Sequence, residues 1–213
     1  MSVRLHRGGK FRGWLGRRLG GDVELGDRAW RRIVHTFGVV VLLYYVVPPG
    51  YFVVITTEEL VLLILAVLLV MEGCRHLLRW ELPMIRPVEE RRVASFVYFG
   101  VGLVAAVLLF PEPVAVVVVV GTATLDPLIG ELRGSPRYAR YYPGVPVALY
   151  AGMAVTVFAV LTDWSVVEVI VLAAAGALVA IAAEAPNDRW IDDDLAMTIV
   201  PGLLLWALVV FWP

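Results

Sequence analysis

Seven apolar runs, joined by short polar connections, leave this chain little choice but helices in a bilayer. They lie near residues 33–47, 59–79, 93–110, 114–130, 143–161, 165–183 and 195–212. A helix of about 20 apolar residues crosses roughly 30 Å of hydrocarbon. In that medium each backbone N–H and C=O must find its partner within the structure, which favours helices over isolated strands. With 60% hydrophobic residues and a mean hydropathy of +0.82, the expected fold class is all-α: a polytopic membrane protein of about seven transmembrane helices. In 213 residues such spans leave no room for a separate soluble catalytic domain. The organisation expected is therefore a basic arm, residues 1–27, followed by one helical domain, residues 28–213, whose site must be assembled from helix ends and loops.

The charges orient these runs. Nine of the 18 Lys and Arg residues lie at or before Arg32, five between Arg75 and Arg92, three between Arg133 and Arg140, and the last is Arg189. The alternate connections, Pro48 to Thr57, Phe110 to Pro113 and Thr162 to Trp164, have none, and neither has the C-terminal end. The positive-inside rule then predicts a cytoplasmic N-terminus and an odd number of spans. Glu58, Glu59, Glu112 and Asp163 fall on the opposite side, so the formal net charge of −1 conceals a strong polarity. No cleavable signal peptide is expected, and the first run is read as its own insertion signal. Cys74 is the single cysteine and can form no internal disulfide. Lys10 is the one lysine among many arginines, and Val and Ala dominate the runs, a usage suited to a GC-rich microbe; the expected location is an archaeal or bacterial cell membrane.

Outside the runs, the arm sets Phe11 and Trp14 among six basic residues. It suits an anionic membrane surface, where each basic residue contributes about 1 kcal/mol, and it equally suits a solvated tail whose charge fixes topology. No nucleic-acid partner is expected, because no nucleic-acid-binding motif accompanies the charge. Pro48-Pro49-Gly50 stops the first helix and Phe110-Pro111-Glu112-Pro113 makes a tight hairpin. Tyr44, Tyr45, Tyr51, Phe52, Trp164, Trp206, Phe211 and Trp212 read as an interfacial belt. Gly100, Gly102 and Gly176 read as points of close helix contact. The oligomeric state is left open.

The side chains capable of chemistry gather at the charged end. His35, Glu72, Arg75, His76, Asp126, Glu131, Glu184 and Asp192 to Asp194 all fall within about two helical turns of it. An ionised carboxylate inside a span costs several kcal/mol unless paired or hydrated, which makes Asp126 and Glu184 candidates either for function or for pairing with a nearby Arg. Arg31 and His35 are one turn apart, and Gly38, on the next, leaves a gap for a ligand or another backbone. A single Asp would cap the last helix, so Asp192, Asp193 and Asp194 exceed that need. Together with Glu184, a short loop away, and Asp126 at similar depth, they resemble an oxygen-donor set for Mg²⁺ bound with a polyphosphate. Arg31, Arg32, Arg133, Arg137 and Arg140 supply phosphate-binding cations where no Gly-rich phosphate loop exists. Zinc spacing and a Gly-x-Ser-x-Gly elbow are both absent from the sequence.

Three motifs in order, Arg31-Arg32-x-x-His35-x-x-Gly38, Gly130-Glu131-Leu132-Arg133-Gly134, and Glu184 followed by Ile191-Asp192-Asp193-Asp194-Leu195 and Pro201, resemble the CTP-dependent polyprenol (dolichol) kinase family. That family includes phytol kinases and CTP-using diacylglycerol kinases, with phosphatidate cytidylyltransferases as more distant relatives. Asp192 and Asp193 match its Asp-Asp pair, Asp194 standing where Asn is usual, and Glu184 matches its preceding Glu. In Gly121-Thr122-Ala123-Thr124-Leu125-Asp126-Pro127 the acid comes five residues after the Gly, where the family has Gly-Asp, so Asp126 offers its carboxylate from a shifted register.

The resemblance implies a lipid kinase passing the γ-phosphoryl of CTP to an isoprenoid alcohol at the cytoplasmic face. Asp192, Asp193 and Asp126 would hold Mg²⁺; Arg31, Arg32, Arg133 and Arg137 would neutralise the phosphates; and His35, Glu184 or Asp126 would orient or deprotonate the lipid hydroxyl, with the lipid chain along the Gly100 and Gly102 face. Attack at the α-phosphorus instead would make a CDP-lipid from the same parts. A non-enzymatic transporter or scaffold, its acids merely paired with arginines, predicts no nucleotide binding at all.

Overall fold

A computed structural model describes residues 32–48, 50–51, 55–78, 85, 89–90, 92–184 and 192–211. The basic arm, Arg31, Arg91, Phe52, Trp212 and the 185–191 connection lie outside the described residues. Within them all regular secondary structure is helical: α1 (Arg32–Val46, with a 3-10 stretch at Gly38–Leu42), α2 (Thr57–Leu78), α3 (Ser95–Leu109), α4 (Glu112–Gly134), α5 (Gly144–Leu161), α6 (Val166–Glu184) and α7 (Asp193–Phe211). Five of these, α2 and α4 to α7, are long and apolar enough to cross a membrane. The other two are shorter apolar helices; α3 has 15 residues, about 22 Å. Their shortness has a local cause, since Pro48 and Pro111 follow the two C-termini and cannot extend a helix.

The bundle is built around α4, the most buried of the span-length helices, while α2 is the least buried and lies at the periphery. α4 packs on α3, α5 and α7, and α6 lies between α5 and α7. Val116 to Val120 make a β-branched run that has weak helix propensity in water. Its helical state follows from the need to pair every backbone group internally. Gly121 leaves room for the ring of Tyr150, and Gly176 meets both Leu205 and Tyr150, so close approach at two glycines joins α4, α5, α6 and α7.

Helix ends differ by side. At the end carrying the 56–57 and 162–165 turns, α2 and α6 each start with a capping box. Glu59 N–H donates to Thr56 Oγ1 and Thr56 N–H to Glu59 Oε2; Ser165 and Glu168 repeat the exchange. Aromatic contacts gather there too: Phe110 against Trp206, Phe158 against Trp164, and Tyr45 Oη donating to the Val107 carbonyl. The opposite end collects the polar residues of interest.

Candidate functional site

The N-termini of α1, α3 and α7 and the C-termini of α4 and α6 meet at that second end. α7 begins at Asp193, and Asp192 is its N-cap: Oδ1 accepts the Asp194 N–H at 3.2 Å. One carboxylate of the triplet is thereby used for capping. Asp193 lines a cavity, and Asp194, 1% exposed, turns into the bundle. Its Oδ2 accepts the Ser95 hydroxyl at 2.5 Å, and its Oδ1 lies 3.2 Å from His35 Nε2. The same nitrogen is 3.3 Å from Asp126 Oδ2. A ring nitrogen facing two carboxylate oxygens carries either a proton or a metal ion. One ligand atom from each of His35, Asp126 and Asp194 lies within 4.8 Å of the others, and the same holds for Asp192, Asp193 and Asp194.

The two Asp-bearing helices are registered by more than their carboxylates. α4 runs toward this end and α7 away from it, so residues one turn deeper than the two carboxylates also meet. Thr198 Oγ1 lies 3.0 Å from Thr122 Oγ1 and donates to the Asp194 carbonyl at 2.9 Å. Thr122 is four before Asp126 and Thr198 four after Asp194, a matched spacing that was readable in the sequence. Ser95 gave no such signal. α4 continues through Pro127 to Gly134, and Pro127, lacking an N–H, leaves the Ala123 carbonyl without its usual helical donor beside the site.

His35, 1% exposed, is covered by Phe99, with ring centroids 4.3 Å apart. The gap expected at Gly38 is filled by the same ring: an added Cβ would stand 2.5 Å from Phe99 Cζ. The Gly100 and Gly102 face is likewise occupied, by Leu68 of α2 and Thr198 of α7, and is closed to a lipid chain.

Toward solvent, a cavity of about 490 Å³ is lined by Arg32, Asp126, Glu131, Arg133, Glu184 and Asp193, together with the Gly130, Gly134 and Ser135 backbone region. Its two arginines are held by acids: Arg32 pairs with Glu131, and Arg133 Nη1 donates to Glu184 Oε1 at 2.6 Å. Tyr142 completes the second pair, accepting from Arg133 at 2.6 Å and donating to Glu184 Oε2 at 3.1 Å, with its ring under the guanidinium. Partial burial, reinforced by the Glu184 carboxylate, pushes the Tyr142 hydroxyl above the usual phenol range. Asp192 is pushed up to about 8, by burial first and by the charges of Asp194 and Asp193 second.

Arg137, expected on the nucleotide phosphates, is not among the residues that line this cavity; its guanidinium lies over the Tyr138 ring at 5.6 Å. Glu72 and Arg75 form a separate buried cluster at the end of α2. Arg75 grips both Glu72 oxygens, at 2.8 and 2.6 Å, and donates to the Glu89 and Arg92 carbonyls, while Glu72 Oε1 accepts the Ala94 N–H. This clamp holds the chain immediately before Ser95.

Comparison with protein-family models, with curated proteins and with solved structures gives no match.

Proposed function

We propose that this chain is a membrane-embedded phosphotransferase, a lipid kinase that moves the γ-phosphoryl of CTP to the hydroxyl of an isoprenoid alcohol such as a polyprenol or dolichol. One observation carries the reading: three carboxylates from separate parts of the chain, Asp126, Glu184 and Asp193, share a polar cavity with Arg32 and Arg133 at the end of an otherwise apolar bundle. That pairing of oxygen donors with guanidiniums suits a magnesium-bound polyphosphate. The motif order in the sequence supplies the choice of CTP and of the lipid alcohol.

The donors fit a hard cation, since the Asp192, Asp193 and Asp194 carboxylates come within 4.8 Å of one another and Asp193 opens on the cavity. Asp192, Asp193 and Asp126 would hold Mg²⁺, which, when bound, neutralises phosphate charge as it develops. Arg133 and Arg32 exchange Glu184 and Glu131 for phosphate oxygens, an exchange their positions on the cavity wall permit. Glu184, released from Arg133, is the group placed to accept the lipid proton, since it too lines the cavity; Asp126, its Oδ2 held by His35, would keep its other oxygen for the metal, and His35, buried behind it, orients the carboxylate. We read all seven helices as spans, α1 and α3 crossing a locally thinned bilayer, with the N-terminus and the site on the cytoplasmic face of an archaeal or bacterial cell membrane.

The test is a double-label transfer assay: purified protein, Mg²⁺, a panel of polyprenols, diacylglycerol and phosphatidate or their ether analogues, and CTP labelled at the α- or γ-phosphate. The kinase reading expects γ-label in the lipid and its loss in Asp193→Asn. Label arriving from the α-phosphate would make the protein a cytidylyltransferase, and no transfer from any nucleotide would sink the enzymatic reading.

A further inference from the structure

The turn between α4 and α5 is built unlike the rest of this end. Residues 135–142 read Ser-Pro-Arg-Tyr-Ala-Arg-Tyr-Tyr, with two guanidiniums, three phenols and no carboxylate. The backbone winds in tight turns: Tyr138 N–H donates to Ser135 O at 3.0 Å, Tyr141 N–H to Tyr138 O at 2.9 Å and Tyr142 N–H to Ala139 O at 3.2 Å. Residues three apart in such turns fall on one side, so Arg137 and Arg140 share a side and Tyr138 and Tyr141 share the next.

Each guanidinium is seated on its neighbouring ring, Arg137 over Tyr138 and Arg140 over Tyr141 at 4.8 Å, and Arg140 Nη2 also donates to Tyr141 Oη at 2.7 Å. The seating leaves the two side chains preorganised at an exposed surface; Tyr138 is 44% and Tyr141 42% exposed. Arg32, Arg75 and Arg133 each close on a carboxylate, whereas neither Arg137 nor Arg140 meets one among the described residues. Both also stand off the wall of the cavity that holds Arg133.

Location decides what anion they face. The turn joins two span-length apolar helices, Glu112–Gly134 and Gly144–Leu161, so it lies where hydrocarbon gives way to headgroups. Tyr and Arg are suited to that boundary, the ring toward the acyl chains and the cation toward phosphate. We propose that residues 135–142 form a binding site for the phosphate of an anionic membrane lipid, with Arg137 and Arg140 gripping its free oxygens and Tyr138 and Tyr141 flanking the glycerol region. The site is separate from the cavity above and does not depend on any transfer reaction.

The test is native mass spectrometry of the full chain in a neutral detergent with equimolar phosphatidylglycerol and phosphatidylcholine of matched acyl chains. Wild type is expected to retain phosphatidylglycerol preferentially. The preference should fall about fivefold for each guanidinium removed in R137Q and R140Q, and further in the double variant, while R140K keeps most of it. The basic residues before Arg32 are common to all variants, so differences between variants isolate the turn. Should the double variant misfold by circular dichroism, the single variants and the loss of wild-type preference with rising NaCl take its place. Equal retention of the two lipids by wild type, an unchanged preference in folded variants, or full displacement by millimolar inorganic phosphate would overturn the proposal; the last would assign the turn to a soluble anion.

Discussion

A carboxylate hydrogen-bonded on both oxygens has one usable rotamer, and Asp194 is held that way by Ser95 on one side and His35 on the other. The Ser95 contact is the shorter of the two and comes from an uncharged donor, so it orients Asp194 without neutralising it. Asp194 shares His35 Nε2 with Asp126, which would ligate Mg²⁺, and groups that orient metal ligands from behind affect affinity or activity by about 10–100-fold. Ser95→Ala is therefore expected to lower lipid phosphorylation by about that factor and to raise the Mg²⁺ concentration needed, while Ser95→Thr, which keeps the hydroxyl, retains most of the activity. Equal activity in the Ala variant would reduce the contact to packing. Tyr150 makes the opposite case. It is 1% exposed, and its hydroxyl has no partner among the described residues. Removing a buried polar group that bonds to nothing relieves its desolvation cost, so Tyr150→Phe is expected to stabilise the protein by about 1 kcal/mol, read as a rise in Tm in detergent.

Helices place these residues, and it is at this scale that the sequence was most and least legible. His35, Asp126, Glu184 and the Asp triplet stood out because an ionisable group in or beside an apolar run is costly and needs a reason. Their gathering at one end followed from counting runs. Ser95, Thr122 and Thr198 did not stand out, since hydroxyls occur freely in membrane helices by bonding to their own backbone, as Thr198 does to the Asp194 carbonyl. What links them is the register of α4 against α7 and of α1 against both, across 159 residues in the case of His35 and Asp194, and periodicity within one helix carries no information about that. The division of the triplet into cap, cavity wall and buried carboxylate was hidden for the same reason. The Glu72–Arg75 clamp makes an element-level claim that can be checked. Breaking a buried ion pair by removing one partner costs about 3–5 kcal/mol, so Glu72→Gln and Arg75→Met should each lower Tm sharply and loosen the chain leading to Ser95. The double variant, which leaves no lone buried charge, is expected to be less destabilised than either single change; additive losses would mean the two groups act separately.

At the scale of the whole molecule, the five span-length helices are consistent with a membrane-embedded bundle, and the two short ones decide its topology. α1 supplies Arg32 and His35 to the polar end, and α3 brings Ser95 there while its other end meets Tyr45 at the aromatic side. Both thus run between the same two ends as the longer helices, and α3, at about 22 Å, is several ångströms short of a typical hydrocarbon core. Local thinning or interfacial side chains accommodate such mismatch at a fraction of a kcal/mol per ångström. If all seven cross, Ser135 and an N-terminal tag lie on one side of the membrane and Gly50 and Asp163 on the other. Single cysteines at Ser135, Gly50 and Asp163 in a Cys74→Ala background, probed with an impermeant maleimide on sealed cells and on inverted vesicles, read this directly. The charge distribution expects Gly50 and Asp163 to label from outside and Ser135 only in inverted vesicles. Labelling of Gly50 from the same side as Ser135 would mean that α2, α3 or α4 does not cross and, with α1 crossing, would move Arg32 and His35 off the face that the phosphotransferase reading requires.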